Sequence, residues 1–372
     1  MKKVYVYPSC ISVQGYSRGI IQDLYRSKYI FAPKWLIHLL YNNNTTIHEL
    51  RSAVNEYDKE SQLEDYLNFL IENEIVYITD KDIRFQETPL VFDTPSIITN
   101  SILLFKDINL EKLKKLILEL EDLGCENVQL YFPEFKDLKT ISNILLLFDN
   151  SIVQYIELIT NYNINYSNFE KLAELFSNNN RLFKLHLANA PESKKIFVDV
   201  FHIKYVAFSI DEFNFTQCGE IHPLYFKNNL SFFTESQKHN ICLNRKICID
   251  ENGEIKNCPV MTKSYGNVEN MKLEDVIKNK DFQTLWHINK EKVDVCKDCE
   301  FRHLCTDCRC FIKDPDNIYS QPTNCRYNPY ICKWEGEDGY KSVEECGIYT
   351  KISGFIPDHE KIKNINNKLW GD

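Results

Sequence analysis

Cysteine is the residue type with the most chemistry in this chain, and its distribution is lopsided. Cys10 and Cys125 stand alone, while the other twelve of the fourteen run from Cys218 through Cys242, Cys248, Cys258, Cys296, Cys299, Cys305, Cys308, Cys310, Cys325 and Cys332 to Cys346. Cys296-Lys297-Asp298-Cys299 is a C-x-x-C, Cys305 follows after five residues, and Cys308 completes a second C-x-x-C. Two-residue spacers let consecutive thiolates reach one metal centre from a tight turn, and longer spacers bring further ligands from elsewhere in the fold. One C-x-x-C carries little weight. Two within thirteen residues, flanked by further cysteines, point to metal. Four thiolates suit zinc as well as an iron–sulfur cluster, and spacing alone does not separate them.

The redox setting supports metal over disulfide. The start, Met1-Lys2-Lys3-Val4-Tyr5-Val6-Tyr7, lacks the unbroken apolar run of a signal peptide, and no stretch reaches the roughly 20 apolar residues that span a bilayer. A cytoplasmic location is expected, where thiols stay reduced. The 372 residues suggest two or three domains, and 53 acidic against 44 basic residues give a formal charge of −9. Such a chain is poorly suited to nucleic acid or an anionic membrane. With 11 glycines and neither G-x-x-x-x-G-K-[ST] nor G-x-G-x-x-G, no usual glycine-rich phosphate loop is present.

The elements that must position the cysteines read as an α/β multi-domain chain. Residues 1–90 open with short β-like pieces at Val4–Tyr7, Ile11–Gln14 and Gly19–Tyr25, followed by a helical run from Pro33 to Tyr41. Thr46-Ile47-His48-Glu49 fits a capping box, and Leu63, Tyr66, Leu67, Leu70 and Ile71 give the next helix its stripe. Ile75–Ile78 and Ile83–Phe85 around a polar turn predict a hairpin, so three helices and a hairpin make a small winged helix. DNA is an unfavourable ligand for it. Between Thr46 and Glu74 stand Glu49, Glu56, Asp58, Glu60, Glu64, Asp65, Glu72 and Glu74 against only Arg51 and Lys59.

Residues 96–211 alternate strands (Ile97–Phe105, Val128–Phe132, Tyr155–Thr160, Leu182–Leu187, Tyr205–Ser209) with helical stripes, the last expected helix spanning Glu192–Val200. Repeated β-α units mean a parallel sheet, and five strands are too few for a closed eight-stranded barrel, so a shortened, open β/α barrel of partial TIM type is predicted. Residues 212–335 hold the cysteine field, and residues 336–372 form a C-terminal extension without a clear period.

Two resemblances extend this reading. Strands ahead of a winged helix resemble the PqqD-like precursor-peptide recognition domain of ribosomal-peptide maturation enzymes. The resemblance implies that a leader peptide adds as a strand beside Gly19–Tyr25 and packs on Leu63–Ile71, with Ile21, Asp23, Tyr25, Tyr66 and Leu70 as contacts. The order Cys242-x5-Cys248, Gly253-x4-Cys258, Cys296-x2-Cys299-x5-Cys305, Cys308 and Cys325 resembles the SPASM domain of radical-SAM peptide maturases. That implies two auxiliary [4Fe–4S] clusters, one on Cys242, Cys248, Cys258 and Cys308, the other on Cys296, Cys299, Cys305 and Cys325, with zinc as the alternative metal. The spacing leaves Cys310 open as an alternative to Cys308.

The radical-SAM C-x-x-x-C-x-x-C is missing. After the strand Ile97–Phe105 the chain reads Lys106-Asp107-Ile108-Asn109-Leu110, and Phe132-Pro133-Glu134-Phe135 stands where a glycine-rich bend is expected. Binding and cleavage of S-adenosylmethionine are therefore not expected. Cys218-Gly219-Glu220-Ile221-His222-Pro223, Asn240-Ile241-Cys242-Leu243-Asn244-Arg245-Lys246, Asn257-Cys258-Pro259 and Cys296-Lys297-Asp298-Cys299-Glu300-Phe301-Arg302 make the whole chain similar to the SPASM-domain maturases of grasp-with-spasm systems. This implies a ribosomally made precursor peptide and an ATP-grasp ligase as partners, in graspetide-type maturation.

Overall fold

The computed structural model describes residues 2–40, 45–54, 60–107 and 109–370; Met1, Tyr41, Glu56, Asp58, Lys59 and Ile108 of the sequence reading lie outside the described residues. The chain forms two compact units, one of Met1–Phe92, Gly219–Ile241 and His287–Asp372, the other of Asp93–Cys218 and Cys242–Trp286. The cysteine field is thus distributed over both, rather than forming one continuous segment.

In the first unit, β1 (Lys3–Val6) pairs antiparallel with β5 (Thr45–Thr46) and β6 (Val76–Thr79), and β2 (Cys10–Gln14), β3 (Gly19–Asp23) and β4 (Lys28–Ala32) make a second antiparallel sheet in that order. Helices α1 (Lys34–Leu40), α2 (Ile47–Val54) and α3 (Glu60–Glu72) pack Leu36, Leu50, Val54, Leu63, Leu67 and Leu70 against Ile21 and Ala32 of that sheet. The capping box at the start of α2 is formed: Thr46 N donates to Glu49 Oε2 at 2.8 Å, and Glu49 N donates to Thr46 Oγ1 at 3.1 Å. On the sheet's other face Val13, Ile20 and Leu24 pack with Phe301, Leu304, Tyr327 and Phe233, the last from α7 (Leu230–Ser236).

Two expectations for this unit are corrected. The hairpin at residues 75–85 does not form, because β6 pairs with β1 (Val6 opposite Val76) and residues 83–85 carry no strand. Ile83 N instead donates to Tyr5 Oη at 3.2 Å, and the Phe85 ring packs on Tyr5 and Tyr7, so aromatic docking replaces a ladder. Second, Gly19–Tyr25 is not an edge that a peptide could extend. β3 lies between β2 and β4 with its ladder partners on both sides, and the chain turns at Leu24 before β4, a strand not expected from the sequence.

The second unit is built on an eight-stranded sheet in the order β11-β12-β10-β9-β8-β7-β13-β14, with β7 (Asn100–Leu104), β8 (Asn127–Tyr131), β9 (Tyr155–Asn161), β10 (Leu182–Ala188), β11 (Lys194–Asp199), β12 (Lys204–Phe208), β13 (Lys246–Ile249) and β14 (Ile255–Lys256). The six inner strands are parallel to their neighbours, and β11 and β14 close the two ends antiparallel. Helices α4 (Leu110–Asp122), α5 (Leu138–Leu146) and α6 (Phe169–Asn178) make the crossovers, each started by a side-chain cap from Asn109, Asp137 or Asn168.

The helix expected over Glu192–Val200 is instead β11. Its Lys-Lys-Ile-Phe-Val-Asp run carries β-branched and aromatic residues, pairs Ile196 with Val206, and lays Lys195 over the Tyr205 ring. The five strands read from sequence gain a sixth parallel member, β13, from the cysteine field. Among the described residues no helix is long and apolar enough to cross a membrane.

Candidate metal centres

In the second unit, Cys242, Cys248 and Cys258 are placed by the β13–β14 hairpin. Cys248 pairs with Lys256 across it, and Cys258 follows β14 by two residues. The turn is specified locally. Asp250 Oδ1 accepts from Asn252 N and Glu254 N, both at 2.9 Å, and Gly253 takes φ +81, where a side chain is strained. Asp250 also pairs with Lys256 at 2.7 Å, tying the two strands. Lys246 Nζ donates to Cys242 Sγ at 3.7 Å. Burial alone would lower the Lys246 pKa, but the thiols of Cys242, Cys258 and Cys218 lie close enough to raise it above lysine's usual value. Burial drives the Cys248 thiol well above the ordinary cysteine range, with the neighbouring Cys258 adding to the rise. Cys308, read from sequence as the fourth ligand of this set, belongs to the first unit.

In the first unit, Cys296, Cys299, Cys305 and Cys325 line one cavity. The C-x-x-C turn is a short 3-10 helix closed by Cys299 N donating to Cys296 O at 3.0 Å, and Cys305 N donates to Phe301 O at 3.1 Å. Phe226, Phe301, Tyr327 and Trp334 form its aromatic wall, with Phe301 5.0 Å from both Phe226 and Tyr327 between ring centres. Phe301 N donates to Cys299 Sγ at 3.4 Å, and the buried Lys290 donates to Cys305 Sγ at 3.1 Å. Burial pushes the Cys296 thiol up to about 12 and the Cys299 and Cys305 thiols above their usual range. Four sulfurs, an amide donor, a cation and an aromatic shell match what a thiolate-bound cluster requires. Among the described residues no three His, Cys, Asp or Glu side chains gather tightly enough to hold a single ion.

The ligand turn is anchored from the N-terminal sheet of the same unit. Arg18 Nε donates to Glu300 Oε1 at 2.8 Å, Tyr327 Oη donates to the same oxygen at 2.5 Å, and Glu300 is fully buried. Gly15 makes this approach possible, since a Cβ there would lie 2.8 Å from Glu300 N. Arg302 donates to Gln14 O at 2.7 Å, and Tyr16 N to Asp298 O at 2.7 Å. None of these contacts carried a signal in the sequence.

Other sequence-selected residues fall as follows. Hydrogen bonds from the Cys310 side chain and from the backbone N–H groups of Cys310 and Phe311 lower the Cys308 thiol to about 6. Gly219 (φ +87) lies against Cys308, where a Cβ would be 2.7 Å from the Cys308 Cβ. Cys346 accepts from Asn328 Nδ2 at 3.3 Å in a buried core, and no disulfide joins any of the cysteines. Of the residues read as leader-peptide contacts, Ile21, Asp23 and Leu70 are buried, Tyr66 stacks its edge on Trp35 at 5.4 Å, and Tyr25 is exposed. His222 caps a 3-10 turn, and the His239 ring packs between Phe92 and His287.

The sheet of the second unit adds a cleft. Burial alternates along β7 and β8, so one face is core, and the other lines a cavity of about 440 Å³ with Asn100, Asn127, Gln129, Glu157 and Lys246. Gln129 donates to Glu157 at 2.9 Å, and Lys184 pairs with the same carboxylate. Ile102, Val128, Tyr155 and Phe183 also line it, so these polar groups are set in a largely apolar wall.

Residues 242–300 match the SPASM domain, an iron–sulfur cluster-binding domain. No curated protein matches the sequence. Among solved structures, SuiB of Streptococcus suis is similar at 12% identity over 86% of this chain and 99% of its own, with a TM-score of 0.39. Its S-adenosylmethionine-bound form gives 12% over 87% and 100% with a TM-score of 0.40, and its form bound to precursor peptide SuiA gives 11% over 82% and 96% with a TM-score of 0.27.

Proposed function

We propose that this chain is an iron–sulfur SPASM-domain protein of ribosomal-peptide maturation, which binds a precursor peptide and works beside an ATP-grasp ligase without radical-SAM chemistry of its own. One observation carries the cluster reading: Cys296, Cys299, Cys305 and Cys325 line a single aromatic-walled cavity with Lys290 among them. These four hold one [4Fe–4S] cluster. Cys242, Cys248 and Cys258 hold the second. The clusters supply electron transfer or structural bracing. The chain's own residues fix the ligand turns, exclude water and neutralise charge.

The peptide docks as an added strand on β4, whose outer side pairs with no strand among the described residues. The Ile30 side chain shares its core with Leu63, Leu67 and Leu70 of α3, so strand and helix are already joined there.

Protein purified without oxygen tests the first half: about eight irons and eight sulfides per chain support it, and zinc without sulfide refutes it. Changing Cys299 and Cys325 to Ser together removes about half the iron. For the second half, a labelled leader peptide is titrated by fluorescence anisotropy. N-methylation of alternate residues in one register weakens binding at least tenfold, as lost backbone hydrogen bonds require. Equal binding by both N-methylated registers refutes strand addition.

A further inference from the structure

Lys290 is a buried cation that forms no ion pair with a carboxylate among the described residues. It is 6% exposed, and its ammonium donates to Cys305 Sγ at 3.1 Å inside the cavity lined by the four thiols. The acidic group acting on it is Asp307, which is already committed to Arg309 and accepts from Asn240 Nδ2 at 2.9 Å. The other groups acting on Lys290 are the sulfurs of Cys305, Cys296 and Cys325. An unpaired buried ammonium costs several kcal/mol, and neutral thiols do not offset that. An anionic group on those sulfurs does.

We propose that Lys290 is the resident counter-ion of the cluster held by Cys296, Cys299, Cys305 and Cys325, and that it sets that cluster's reduction potential. This rests on the cluster reading above. One-electron reduction moves an electron from an added donor such as dithionite onto the cluster, which gains one negative charge. A cation fixed at a ligand sulfur stabilises the reduced form more than the oxidised form, so the lysine raises the potential. Low local dielectric strengthens the effect, since the walls are Phe226, Phe301 and Trp334.

The experiment is a dithionite potentiometric titration of anaerobically purified full-length protein, followed by EPR, with iron and sulfide measured on every sample. In Lys290→Met the reduction equilibrium falls at least tenfold, about 59 mV for a one-electron couple. In Lys290→Arg, which keeps the charge, it falls less than half as far on that scale. Lys263→Met serves as the control. It removes an exposed cation paired with Asp281, away from every proposed ligand, and leaves the potential in place. Lys290→Met with full iron and an unchanged potential overturns the assignment. Should Lys290→Met lose iron, full iron in Lys290→Arg supports the counter-ion role, and iron loss in both overturns it, because shape rather than charge is then what the site needs. Wild-type protein without iron and sulfide would instead bring down the cluster reading itself.

Discussion

Arg18→Met tests how the Cys299 ligand turn is held. Glu300 lies between Cys299 and Phe301 with its side chain at 0% exposure, while that of Arg18 is 27% exposed. Glu300 Oε1 takes both hydrogen bonds, from Arg18 and Tyr327, and Oε2 has no partner among the described residues. Removing the guanidinium therefore strands a carboxylate that cannot reach water. Breaking such a buried pair from one side costs about 3–5 kcal/mol. At about 1.4 kcal/mol per factor of ten, local opening becomes about a hundred- to several-thousand-fold more frequent.

The asymmetry of the pair makes the prediction sharper. Glu300→Gln leaves the charge on Arg18, which can swing its head toward solvent along a flexible stem, so the cost falls to about 1–2 kcal/mol. The double variant should resemble Glu300→Gln rather than the sum of the two. Hydrogen exchange read by mass spectrometry on segments 10–32 and 294–308 of the anaerobic protein gives these opening frequencies directly. Arg18→Met within threefold of wild type, or Arg18→Met and Glu300→Gln equal in effect, would refute the reasoning.

Two further outcomes follow from local geometry. Burial alone would raise the Asp23 pKa, but Arg26 and the backbone N–H groups of Tyr25 and Arg26 outweigh it and hold it below the ordinary value. Its contribution is therefore full above the unfolded carboxylate pKa of about 4 and fades as pH falls through the lower folded value. Asp23→Asn should speed exchange of segment 19–32 about tenfold at pH 7, and the gap to wild type should narrow below pH 4; a gap independent of pH would exclude this account. Gly253→Ala places a side chain at φ +81, with its Cβ 3.1 Å from Asn267 Oδ1 and 3.2 Å from Val268 Cγ2. The strain of about 1–2 kcal/mol should loosen the hairpin between Cys248 and Cys258, read as roughly five- to thirtyfold faster exchange of segment 246–256; unchanged exchange there would show that the turn tolerates a side chain.

What the sequence made legible was periodic or locally punctuated. The stripes of α3 and α4, the Thr46–Glu49 cap and the parallel strands each repeat or terminate within a dozen residues, so their physics is written where they fold. β4 has no clear sequence signature because Lys28-Tyr29-Ile30-Phe31-Ala32 packs both faces, one toward α3 and one toward Phe301, which blurs the alternation that marks a half-buried strand. β11 resembles a helix in sequence because an edge strand of six residues leaves too short a window to separate the periods. The cysteine spacings named the thiols but not their division between two units, since β13 reaches back past some 140 residues to pair in parallel with β7, and no local pattern encodes a partner that far away. The same holds for Lys290, Arg18 and Glu300. A charged residue in a loop reads as solvated surface until the fold brings it to a partner, so the groups that tune and brace a cysteine site are the part of it that a linear reading is least able to find.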